Sequence, residues 1–205
     1  KFQYSCLNYI TLQHIIETIT GQSLRDFAKE NIFDILGMQY TDYLPTIQQQ
    51  DGKWINTVAC PWMDRIAPTE KQKDGSVLCG QVHDPLARIL NGGISGNAGI
   101  FSNANDIGIL AAALLNGGEY NGHRILSPLG VKTMCTVPRE LTAFGRTPGW
   151  DIFSPYASNK GDLFSPNTFG HTGYTGTSII IDPDNDTAVI LLVNAVHPED
   201  RHSIV

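Results

Sequence analysis

Positive charge is in short supply in this chain. Its 205 residues hold 14 lysines and arginines against 20 aspartates and glutamates, a formal net charge of -6. A surplus of that sign repels phosphates and argues against a nucleic-acid partner. No uninterrupted apolar run reaches the ~18 residues that a membrane-spanning helix needs. Cysteine is sparse as well, with 4 residues at 6, 60, 79 and 135 and no Cys-x-x-Cys pair. That spacing argues against a metal cage or a dense disulfide framework and leaves one disulfide open. An initiator Met and a basic-then-apolar leader are both missing before Lys1-Phe2-Gln3-Tyr4, so Lys1 is expected not to be the natural start. What is present is a hydrophobic share of 41%, with 20 glycines and 11 prolines. That is enough apolar material for a buried core in one large domain or two small ones.

Periodicity organises the first part of the chain. Leu12, Ile15, Ile16 and Ile19 fall on one helical stripe, with Ser5 as its cap and Gly21 as its stop. His14 beside that stripe reads as a packing residue. Ser23-Leu24-Arg25-Asp26 reads as a capping box for a second helix through Phe27, Ala28, Ile32 and Phe33, closed by Gly37. Between Tyr40 and Gly99 the pattern dissolves into prolines and glycines. A stretch of that length predicts a loop that wraps a site or forms a lid. Asn91-Gly92-Gly93-Ile94-Ser95-Gly96-Asn97-Ala98-Gly99 lacks the Lys-Ser/Thr of a phosphate loop and is expected to be a tight, packed turn. His83-Asp84 before Pro85 reads as a turn with a local hydrogen bond.

Helix returns over Asn105 to Leu115 and again after Ser127-Pro128. Beyond Pro138 the character changes to strand and turn. Ser178-Ile179-Ile180-Ile181 and Ala188 to Val193 flank Asp182-Pro183-Asp184-Asn185-Asp186, which predicts an antiparallel hairpin. Both runs are apolar almost throughout, so helices are expected on both faces of that sheet. The fold class is α+β, with residues 1–138 a mainly helical subdomain with long loops and 139–205 the C-terminal strands.

Complete catalytic signatures are absent: the chain holds no His-Glu-x-x-His, no Gly-x-Ser-x-Gly and no Ser-x-x-Lys. His171 stands out among 6 histidines because it ends a predicted strand and precedes Thr172-Gly173-Tyr174. Imidazole and hydroxyl offer directional polar groups there, and Gly173 would let a ligand approach the backbone.

Taken in order, these segments resemble the serine β-lactamase and penicillin-binding-protein superfamily, in its class C-like branch. Tyr4-Ser5-x-x-Asn8-Tyr9, Thr20-Gly21 and Ile32-Phe33-Asp34-Ile35-Leu36-Gly37-Met38 look like the segment that carries the family's tyrosine. Arg65 to Glu70, Val82-His83-Asp84 and Ala98 to Ser102 are similar to the family's next loop and helix entry. His171-Thr172-Gly173 matches its Lys-Thr-Gly strand, and Asn194 to Pro198 resembles the end of its last strand. The likeness covers nearly the whole chain.

The resemblance implies a β-lactamase/transpeptidase-like fold, a helical subdomain plus part of the antiparallel sheet covered by helices. It implies a serine that opens a lactam, a D-amino-acid peptide or an ester through an acyl-enzyme. Tyr4 would relay protons, His171 and Thr172 would hold substrate or assist proton transfer, and Gly173 would place the Tyr174 N–H as an oxyanion donor. Cys6 stands where the family has Asn or Asp. No metal or organic cofactor is implied. The Ser-x-x-Lys helix would precede Tyr4 and a closing helix would break off near Val205, so this chain is expected to be inactive alone. Its implied partners are a small-molecule or peptide substrate, the missing N-terminal segment, or a second copy through an exposed sheet edge. The implied location is the periplasm or cell envelope. The alternative is a non-catalytic module that binds peptidoglycan peptides or a partner protein.

Overall fold

In the computed structural model, which describes residues 4–154 and 161–200, the chain clusters into two units. The first holds the described residues up to Asp34, then Gln39–Ser102 and those from Asn194 onward; the second holds Ile35–Met38 and Asn103–Val193. The closing helix expected near Val205 lies outside the described residues.

The first unit opens with helix α1, Cys6–Thr20. The Ser5 hydroxyl caps it by accepting from the Leu7 N–H, and Gly21 ends it in the left-handed conformation, as the pattern predicts. The stripe behaves differently from expectation. No residue of α1 is buried, Ile19 is 78% exposed, and His14 is exposed rather than packed. Helix α2, Leu24–Ala28, runs through a π-helical segment, Lys29–Phe33, into the single turn of α3, Asp34–Leu36. A bidentate ion pair ties α2 to strand β1, Asp42–Tyr43. Arg25 Nε donates to Asp42 Oδ1 at 2.8 Å and Nη2 to Oδ2 at 2.7 Å.

Residues 40–99 hold little regular structure: strands β2, Thr46–Gln48, and β3, Trp54–Asn56, pair antiparallel, while β1 pairs with β4, Ile100–Phe101. The glycine-rich stretch is a packed turn, as predicted. Gln13 on α1 clamps it by donating to Ile94 O and accepting from Gly96 N–H, and a Cβ at Gly96 would lie 2.1 Å from Tyr9 O. Asp84 forms the expected local bond, accepting from Ala87 N–H at 2.8 Å. The C-terminal stretch of this unit is held by Asn194 Nδ2 donating to Pro68 O, and by His197 Nδ1 donating to Thr69 O at 2.8 Å.

In the second unit, helices α4, Ala104–Leu115, and α5, Pro128–Cys135, begin at the caps Asn103 and Ser127. Two short strands, β5 (Glu119–Tyr120) and β6 (His123–Arg124), form a hairpin between them. The sheet has the order β7-β8-β9: Phe169–Thr172, Ser178–Asp182 and Thr187–Leu191, all antiparallel. Its core joins Ala111 and Leu114 of α4, Val131 of α5, Ile152, Phe169 and Ile181. The predicted hairpin is present, but among the described residues helices do not cover both of its faces. Residues alternate along β9, and Val189 and Leu191 face outward, Leu191 being 53% exposed. Among the described residues β9 pairs only with β8. All four cysteines are free, and burial pushes the Cys135 thiol up to about 11.

The β8–β9 turn rests on Asp182, buried and surrounded by donors. Ser165 gives its N–H at 2.9 Å and its hydroxyl at 2.6 Å, and Asp184 N–H and Asn185 Nδ2 add bonds of 3.1 and 2.8 Å. Burial alone would raise the proton affinity of this carboxyl, but the donors outweigh it and hold it well below the usual carboxylate range. Asp182→Ala is expected to lose about 1–3 kcal/mol in urea unfolding at pH 7, because the buried donors lose their acceptor. The folded pKa is depressed, so the full difference persists above the unfolded value of about 3.9 and shrinks only as the pH falls below it.

Candidate active site

The end of β7 collects four of the residues singled out in the sequence. Phe169 to Thr172 pair with β8 in the register Phe169–Ile181, Gly170–Ile180, His171–Ile179, Thr172–Ser178. Beyond Thr172 a tight turn closes, with Gly173 N–H donating to Thr177 O at 2.7 Å and Gly176 N–H to Gly173 O at 2.9 Å. Gly173 N–H is thereby committed within the turn. The Tyr174 side chain is exposed. A Cβ at Gly173 would lie 2.4 Å from the Thr177 hydroxyl, so the turn itself also requires a bare Cα there. Tyr4 belongs to the first unit, where it immediately precedes the Ser5 cap of α1 and is 41% exposed. Cys6 is the first residue of α1.

His171 has neighbours that its sequence position does not announce. On the edge of β7 away from β8, Asp151 and Gly170 exchange two backbone hydrogen bonds of 2.9 Å each. Asp151 closes a short turn that starts at Arg146. Thr147 N–H donates to Trp150 O at 2.9 Å, and the Thr147 hydroxyl accepts from Trp150 N–H at 2.8 Å. That turn brings Arg146 opposite Asp151 as an antiparallel bridge. Arg146 Nη1 donates to Asp151 Oδ2 at 3.1 Å, and Arg146 Nη2 meets His171 Nε2 at 3.0 Å. Ser154 completes the Asp151 carboxylate: its N–H donates to Oδ1 at 3.0 Å and its hydroxyl donates at 2.5 Å to Oδ2, the oxygen that Arg146 also meets. Arg146 is 5% exposed and Asp151 8%.

Two glycines make this approach possible. Gly145 sits at φ 64°, and a Cβ there would run into Phe153 C at 2.6 Å and Ser154 N at 2.7 Å. A Cβ at Gly170 would lie 2.4 Å from Ile179 O, so the strand that accepts Asp151 on one side and β8 on the other must be bare at that point.

His171 Nδ1 lies 2.7 Å from Thr172 O. A carbonyl only accepts, so Nδ1 carries the proton; a guanidinium only donates, so Nε2 accepts. Burial lowers the proton affinity of His171 most, the Thr172 carbonyl works against that, and the Arg146 charge lowers it further against the pull of Asp151. The ring is therefore held below the ordinary histidine value. Arg146 and Asp151 went unnoticed in the sequence. The available signal was a charged pair flanking Thr147-Pro148-Gly149-Trp150, which reads as a turn between two short extended arms.

A family model described as Beta-lactamase matches residues 1–204. The chain belongs to that family. An Escherichia coli K12 protein with the provisional name D-alanyl-D-alanine carboxypeptidase is 36% identical over 211 residues, covering 96% of this chain and 46% of the relative. A Salmonella agona protein of the same name is 34% identical with the same coverage. The chain thus spans about half the length of the curated relatives it matches. Among solved structures, an octameric penicillin-binding protein homologue from Pyrococcus abyssi aligns with a TM-score of 0.58 at 20% identity, over 97% of this chain and 40% of that one. A β-lactamase from Mycobacterium bovis gives 0.59 at 19%, over 94% and 56%. At those identities the likeness establishes the β-lactamase/transpeptidase-like α+β fold expected from the motifs.

Removing one side of a buried ion pair leaves the other charge uncompensated, which typically costs about 3–5 kcal/mol. Asp151→Ala is expected to destabilise the protein by that amount in denaturant titration. Combining it with Arg146→Ala should cost clearly less than the two single losses added, since the charges are coupled. Additive losses would show that the pair is not coupled.

Proposed function

We propose that these residues are the tyrosine and His-Thr-Gly portion of a serine hydrolase that works through an acyl-enzyme on a D-alanyl peptide. The observation that carries this reading is the 36% identity, across 96% of the chain, to a relative named as a D-alanyl-D-alanine carboxypeptidase. The serine and lysine would come from residues outside the 205, in a protein of the relatives' length. In that reading Tyr4 relays the proton to the leaving group, Thr172 holds the substrate and the Tyr174 N–H is one oxyanion donor. A β-lactam or an ester would enter the same acyl-enzyme chemistry. An enzyme that trims cell-wall peptides acts outside the cytoplasmic membrane, so the periplasm or cell envelope is its expected location.

The second reading, a peptide- or partner-binding module without acylation, is favoured by one observation: the 205 residues hold no Ser-x-x-Lys. A fluorescent penicillin separates the two when applied to the full-length protein that contains this chain. Under the first reading it labels one serine covalently, and Tyr4→Phe lowers kcat/KM for D-alanine release by about 10²–10⁴-fold, the usual span for an acid–base group. Reversible peptide binding with no label would establish the second.

The outer edge of β9 enters the same proposal. Val189, Leu191, Leu192 and Val193 are exposed apolar residues on or just beyond an edge strand, and such an edge accepts another strand. We assign it to the remainder of the longer protein. The isolated 205-residue chain should then self-associate in sedimentation velocity, and Leu191→Lys should reduce that association. A monodisperse, stable monomer would overturn the assignment.

A further inference from the structure

We propose that Arg146, held in place by Asp151, is a positioning residue that locks His171 as the neutral Nδ1–H tautomer, so that His171 is a strut of the strand end and not its proton carrier. This rests on the reading of the β7 end as an active-site edge, and it deepens that reading by assigning the ring's role.

Three observations carry it. Both ring nitrogens are engaged within the protein, Nδ1 by Thr172 O at 2.7 Å and Nε2 by Arg146 Nη2 at 3.0 Å. The donor on Nε2 is a guanidinium, which has no acceptor to offer and stays charged, so a second proton on the imidazole would displace it and face its charge. Arg146 is itself fixed: its other terminal nitrogen meets Asp151, whose carboxylate also takes two bonds from Ser154 and whose backbone is paired to Gly170, the residue before His171. The ring's orientation is thus set by a chain of contacts that begins in the backbone of its own strand. The partner across β8, Ile179, is apolar. The charged groups facing the ring among the described contacts are Arg146 and Asp151.

A ring so placed can neither take a proton from a nucleophile nor give one to a leaving group without first breaking the Arg146 contact or the Thr172 contact. The strand end then offers the Thr172 hydroxyl and the backbone beyond Gly173 to a substrate.

The test is made on the full-length protein that contains this chain, with histidine labelled in ¹⁵N. Two-bond proton–nitrogen spectra assign His171 by comparison with His171→Gln. The expected result is a protonated Nδ1 and a bare, hydrogen-bonded Nε2 at pH 7, with a titration midpoint below that of an exposed histidine. An Nε2–H tautomer, or an imidazolium at pH 7, overturns the proposal. Arg146→Gln should move the His171 midpoint up, because one of the charges that lowers it is gone, and should add an inflection at the shifted midpoint to the kcat/KM profile for acylation by a chromogenic lactam. Arg146→Lys, which keeps the charge, should suppress that inflection. An Arg146→Gln profile identical to that of the unsubstituted protein also overturns it. The spectra need no turnover, and the only variant they use is His171→Gln, for the assignment. A protein that never acylates defeats the hydrolase reading, while the ring assignment still decides this one.

Discussion

Two backbone hydrogen bonds between Asp151 and Gly170 determine what the end of β7 can be. They bring a short turn against the strand edge, and that turn carries an arginine and an aspartate at its two feet. Without that pairing a guanidinium would have no reason to lie beside His171, and the carboxylate that neutralises it would be elsewhere. The pairing in turn depends on an absence. Gly170 has β8 on one side and Asp151 on the other, and its Cα lies too close to the Ile179 carbonyl for any side chain. A methyl group there would push the strand off one neighbour or the other, and the charged cluster would open with it.

The cluster is an economical way to bury charge. An isolated guanidinium or carboxylate in a dry site costs far more than a domain can tolerate. Here Arg146 and Asp151 neutralise each other, Ser154 fills the remaining carboxylate positions, and the imidazole of His171 takes the second arm of the fork. Each polar atom named is answered by a partner of the right sense, donor to acceptor. Such networks stabilise less by their own Coulomb energy than by the cost of any alternative arrangement, which leaves one of the buried groups unanswered.

Much of this was legible in the sequence where local rules apply. Ser5, Ser23 and Ser127 all cap helices because a short side-chain oxygen next to an apolar stripe has little else to do, and the Asp182–Asp186 turn declares itself by composition. The order of motifs, with Tyr4 at one end and His171-Thr172-Gly173 at the other, was enough to suggest the family. Burial was harder to read. The stripe of α1 has a helical period whether or not anything packs on it, and Ile19 stands in solvent here. The same holds for β9: an apolar run announces a surface to be covered without saying which residues cover it. Arg146 was invisible for a different reason. Its partners lie 5 and 25 residues away, across a turn and across a strand pairing, and no periodicity links such positions.

The charge balance at the strand end bears on what it can recognise. On the proposed reading, a lysine in the place of His171 would bring a full positive charge to the edge that meets the substrate. In this chain the same position holds a ring kept neutral, and the arginine behind it is cancelled by an aspartate of nearly equal burial. Lowering the pH does not readily restore the missing charge, because the proton would have to enter against burial and against the guanidinium. On the proposed reading, then, attraction at this edge cannot rest on the net charge of the cluster. It rests on the Thr172 hydroxyl and on oriented backbone amides, which recognise shape and hydrogen-bonding pattern over short distances and are far less sensitive to salt than a lysine would be.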